Sequence, residues 1–64
     1  DSIISWNNLA YALHSYGCKT QALQALQCAL NISPTDSNLR DSQMELSNTP
    51  ATGKRNDCPF IRCD

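Results

Sequence analysis

Sixty-four residues carrying a formal net charge of −1, with 41% hydrophobic and 17% charged residues, describe one small globular domain rather than a disordered segment. Lys and Arg are not clustered, which excludes an electrostatic footprint for nucleic acid or an anionic membrane surface. No apolar run approaches the roughly 20 residues of a membrane-spanning helix. A chain this short buries only about 60% of its unfolded surface, so its Leu, Ile and Ala core needs staples or a partner. That leaves little chain for a catalytic pocket or a small-molecule site, and no enzyme is expected. No signal peptide is recognised, and a start at Asp1-Ser2 is expected of a processed product or an excised piece.

Residues 3–16 are predicted helical. Ile3, Trp6, Leu9, Ala10, Leu13 and Gly17 recur at three- and four-residue steps, with Ser2 as the expected N-cap. Gly17 supplies a stop, because glycine adopts the left-handed conformation that closes a helix. Residues 19–32 follow as a second helix, with Ala22, Leu23, Leu26, Ala29 and Leu30 as its apolar stripe. Its three glutamines and Lys19 are expected to face away, and Pro34 ends it. Ala10, Ala22 and Ala29 let the two helices pack closely. A connection of about three residues makes them antiparallel neighbours.

A third, weaker helix is predicted over 36–47, capped by Thr35 or Asp36, with Leu39 and Leu46 marking a narrow apolar seam. From Ser47 the composition turns to Pro, Gly and small polar residues, a linker that leads into Cys58-Pro59-Phe60-Ile61-Arg62-Cys63-Asp64. The chain therefore divides into helices over 1–48 and a linker with a cysteine-bearing tail over 49–64. The apolar pair between Cys58 and Cys63 predicts a tail that docks.

Trp6, Leu9, Ala10, Leu13, Ala22, Leu26, Ala29 and Pro34 resemble, in interval and in class, the 34-residue tetratricopeptide repeat signature. The resemblance covers roughly residues 3–36. It departs in residue type at Ala10, where the family often has Gly, and at Leu13 and Leu26, where aromatics are common. It implies an all-α architecture: an antiparallel helical hairpin, a third helix that caps the stack with its polar face outward, and the tail. It also implies a protein–protein interaction module, a C-terminal repeat and cap of a scaffold or adaptor, with no catalytic residue and no cofactor. By position, the family's peptide-holding face falls on Ile4, Asn7, Asn8, Tyr11, His14 and Ser15. Asn7 and Asn8 are placed to hydrogen-bond a peptide backbone. No Lys or Arg stands beside them to clamp a terminal carboxylate.

Four cysteines in so short a chain point to disulfides and an oxidising compartment, secreted or lumenal. Were they unpaired, the location would be cytoplasmic. Cys18 and Cys28 are separated by roughly 15 Å of helical rise, beyond the roughly 7 Å a disulfide allows. Cys58 and Cys63 span roughly 16 Å if extended. The match favours a tail stapled twice along the second helix, Cys18–Cys58 with Cys28–Cys63 slightly ahead of the crossed pairing. A local Cys58–Cys63 ring is the alternative. Zinc fits poorly, since these spacings match no compact thiolate site. Cysteine catalysis lacks a base with an orienting partner.

The second functional reading is a secreted, disulfide-stabilised helical peptide: toxin, hormone or defence effector. Gly53-Lys54-Arg55 resembles a prohormone amidation and cleavage signal, although an exposed basic linker is the simpler account. A net charge of −1 argues against membrane lysis. Asn31-Ile32-Ser33 has the form of an N-glycosylation acceptor, but at a helix end before Pro34 chance occurrence is the expectation.

Overall fold

A computed structural model describes residues 2–51, 53 and 57–63. Three helices occupy them: α1 (Ser2–Ser15), α2 (Lys19–Ile32) and α3 (Ser37–Asn48). No strand occurs among the described residues. Ser2 lies in the first turn of α1 rather than before it, so the expected Ser2 cap is not its role.

The α1–α2 connection is set by a single backbone requirement. Gly17 has φ 94°, a region that L side chains avoid. The Gly17 N–H donates to the His14 carbonyl at 3.1 Å, and the Cys18 N–H donates to the Leu13 carbonyl at 2.9 Å. Together they form a Schellman closure that satisfies carbonyls the helix would otherwise orphan. Cys18 then serves as the N-cap of α2 without a side-chain hydrogen bond, because its sulfur is committed elsewhere. At the far end Ser33 leaves the helical region with φ −136° and ψ 80°, as a residue before a proline is expected to do. Of the two caps the sequence offered for α3, Asp36 is the one used. Its Oδ1 accepts from the Asn38 N–H at 2.9 Å and the Leu39 N–H at 3.2 Å.

Ala10, Ala22, Ala25 and Ala29 are all 0% exposed. Their short side chains let α1 and α2 approach closely, with Leu13 and Leu26 filling the space beside them. Ile3, Trp6 and Leu23 pack against this cluster from its margin. Leu9, expected in the α1 stripe, is instead exposed. Successive helical residues turn by about 100°, which puts Leu9 well off the face centred on Ala10. His14 takes the inward position and is buried.

The two sides of α2 are covered differently. Lys19, Gln27 and Leu30 lie toward α3, which buries Leu39, Ser42 and Leu46. Lys19, expected to face solvent, reaches across so that Nζ donates to the Ser47 carbonyl at 2.8 Å. A cation there suits the negative end of α3. The opposite side carries Cys18, Ala25 and Cys28, and there the tail lies. Cys58 is bonded to Cys18 and Cys63 to Cys28, with Cα separations of 5.7 and 5.2 Å. These links have the parallel arrangement that the sequence favours over the crossed one. Ile61 packs on the core between them, whereas Phe60 points outward.

Gly53 fixes the tail's route from α3 past the α1–α2 turn. A Cβ at that position would come within 2.6 Å of the Tyr16 carbonyl carbon and oxygen. Only a residue without one fits against that backbone.

Candidate partner-binding face

Helix α1 contains no Asp, Glu, Lys or Arg. Whatever its exposed surface recognises must be recognised by hydrogen bonds and apolar contact. The sequence assigned that role to Ile4, Asn7, Asn8, Tyr11, His14 and Ser15, and the structure divides the set. Ile4 is 60% exposed, Asn8 is exposed and Asn7 is half-buried. Ile4 and Asn7 lie on the side of α1 that turns toward the start of α3.

Of the other three, His14 alone is buried, while Tyr11 and Ser15 are exposed and hydrogen-bonded within the chain. His14 is buried, with Nε2 2.8 Å from the Thr49 carbonyl oxygen. A carbonyl can only accept, so Nε2 carries the proton, and the imidazole ties the end of α3 to α1. His14 is a packing residue and not part of an open face. Tyr11 donates its hydroxyl proton to Glu45 Oε1 and lies 3.3 Å from Ser42 Oγ. The bond to Glu45 holds the phenol above its ordinary titration range. Ser42 opposes that rise, while desolvation and the Glu45 charge add to it. Ser15 Oγ donates to the Ala12 carbonyl at 2.9 Å, a local bond within α1.

Beside the open part of the face lies a small cavity of about 170 Å³, lined by Ile3, Ile4, Asn7, Asp36, Asn38 and Leu39. Asn7 contributes its one unusual feature: Oδ1 is buried and accepts no hydrogen bond. An acceptor left in that condition costs about 1–3 kcal/mol relative to one that is satisfied. The α3 half of this wall was not foreseen from the sequence, although the Asp36 cap that brings it there was legible.

A second, larger groove of about 550 Å³ lies between α2 and α3, lined by Gln27, Leu30, Asn31, Pro34, Arg40 and Gln43. Sequence reasoning left these polar residues on a plain solvated surface. No local signal marks them, since the groove exists only once α3 has folded back across α2.

All four cysteines are consumed in disulfides, which leaves no thiolate for zinc or for nucleophilic attack. Among the described residues no group of three His, Cys, Asp or Glu gathers as a metal site. No helix there is long and apolar enough to cross a membrane. The Lys54-Arg55 pair of the proposed cleavage signal lies outside the described residues. Comparison with known proteins gives no matching family model, no matching curated protein and no matching solved structure.

Proposed function

We propose that this chain is a protein-interaction module, a tetratricopeptide-like hairpin with α3 as its capping helix, that holds an extended peptide segment against α1. The observation that carries the reading is Asn7. Its buried Oδ1 lacks a donor beside a cavity walled by Ile3, Ile4 and Leu39. A peptide N–H directed at that oxygen would satisfy it while an apolar side chain of the same peptide filled the cavity. Ile4 and Asn8 extend the contact along α1. The module works in an oxidising compartment, secreted or lumenal. The two disulfides support that location, because cytosolic reductants keep most thiols reduced.

The test uses the oxidised chain as bait for a random-peptide display library, followed by titration calorimetry of enriched peptides. Asn7→Leu should weaken those peptides by about tenfold or more. The same change should leave the melting temperature equal or higher, because it removes an unsatisfied buried acceptor. Equal affinity for the variant would remove the α1 face from the account.

A second reading, a self-contained secreted effector, draws on the tail. Residues 58–63 cover the side of α2 away from α3, a side that a preceding hairpin would need in a longer stack. The reading predicts that the oxidised chain remains monomeric and folded alone. Sedimentation showing reversible self-stacking would count against it.

A further inference from the structure

We propose that the α2–α3 groove is a separate binding site for an extended, acidic peptide segment, with Arg40 as the anchor for a glutamate or aspartate side chain. The site lies on a different face from the Asn7 cavity, and the proposal stands whether or not α1 binds anything. Leu30 and Pro34 give its lining an apolar part, and Gln27, Asn31, Arg40 and Gln43 give it a polar one.

Arg40 is oriented before any ligand arrives. Its Nε and Nη2 both donate to the Pro34 carbonyl, at 3.3 and 3.1 Å. That bond fixes the plane of the guanidinium but supplies no negative charge. Nη1 is left to donate outward, and a planar cation held in this way suits a carboxylate better than a mobile ammonium would.

On the facing wall Gln27 Nε2 donates to Asn31 Oδ1 at 3.0 Å, so each carboxamide holds the other in place. What remains open is the complementary pair: Gln27 Oε1 as acceptor and Asn31 Nδ2 as donor. An extended backbone presents just such an alternation of N–H and C=O. Gln43, beside Arg40, adds a third carboxamide with both functions. Among the described residues Arg40 is the sole charged one lining the groove, which sets the sign of the partner. Because the guanidinium is exposed, the ion pair adds modest affinity and mainly selects for charge.

The experiment is a titration of the oxidised full chain, followed through the side-chain amide signals of its Asn and Gln residues by NMR. The probe is an alanine pentapeptide, acetylated and amidated at its ends, with a central glutamate. Its control carries glutamine instead. The glutamate peptide should shift the Gln27, Asn31 and Gln43 side-chain signals at millimolar concentration. The control should bind about two- to fivefold more weakly, and Arg40→Gln should impose a loss of similar size. Arg40→Lys should recover only part of the binding, since it restores charge without the fork. The backbone spectrum of each variant verifies that the fold is kept.

Equal response to both peptides would overturn the proposal, as would equal response to acetate alone. So would silence of these three amides, including the case in which only Asn7 and Asn8 shift. That last pattern would leave the α1 reading intact, so failures of the two sites are told apart in one titration.

Discussion

Helix α2 is covered on two sides by two different physical means. On one side α3 is held by many small contributions: the buried Leu39 and Leu46, the Asp36 cap, Lys19 on the Ser47 carbonyl, and Tyr11 on Glu45. On the other side residues 57–63 have no regular secondary structure, and two disulfides anchor them with Ile61 packed on the core. A helix satisfies its own backbone hydrogen bonds and can dock through side chains alone. An irregular tail cannot, and in a domain this small covalent closure takes the place of a larger core.

That contrast predicts unequal effects on the two sides. The largest falls on the tail. Replacing Cys28 and Cys63 together with alanine opens a loop spanning 35 positions of sequence and should cost about 2–4 kcal/mol, read as a lower denaturation midpoint. Hydrogen exchange should rise in the tail and along the Ala25–Cys28 side of α2, while α3 keeps its protection. Next comes the alanine seam that both sides share. Ala29→Leu forces a larger side chain into a fully buried site and should cost about 1–3 kcal/mol by thermal or chemical unfolding.

Effects confined to the α3 side should be smaller. Asp36→Ala removes acceptors for two N–H groups and should cost about 1 kcal/mol, with fraying limited to the first turn of α3. Tyr11→Phe should cost about 0.5–1 kcal/mol at neutral pH, and its pH dependence has a definite sign. Donation to Glu45 raises the folded-state phenol above its ordinary value of about 10. The folded state therefore holds the proton more tightly than the unfolded chain does. The stabilisation is complete below about pH 10 and is lost as pH rises through the higher folded value. Chemical denaturation of both proteins should show their difference shrinking as pH rises into the alkaline range.

The helices were legible within a residue at each end because their boundaries rest on local chemistry: the positive φ of Gly17, the proline at 34, and the Asp36 cap. That the tail is stapled twice along α2 was legible for a related reason, since helical rise and an extended tail impose matching separations. Those separations suit the crossed pairing equally, and the structure sets the tail's direction. Side-chain orientation was harder to read. His14 looked like a surface residue by type, yet it lies four positions after Ala10 on the same face, and Thr49 supplies the partner that makes its burial affordable. Asn7 was picked by its position on the repeat's peptide-holding face, and its orphaned oxygen became apparent only with Asp36 and Leu39 beside it. The Arg40 groove gave no signal, because Pro34, Arg40 and the α2 carboxamides meet only through the fold of the 33–36 connection.

The arrangement around α2 depends above all on which cysteines are joined. Tryptic mapping without reduction decides it, because cleavage after Lys19 separates Cys18 from Cys28, and cleavage after Arg62 separates Cys58 from Cys63. The predicted result is one linked pair joining the peptide with Cys18 to the peptide with Cys58, and a second joining Cys28 to Cys63. Recovery of Cys18 linked to Cys63, or of the two tail cysteines linked to each other, would contradict the account.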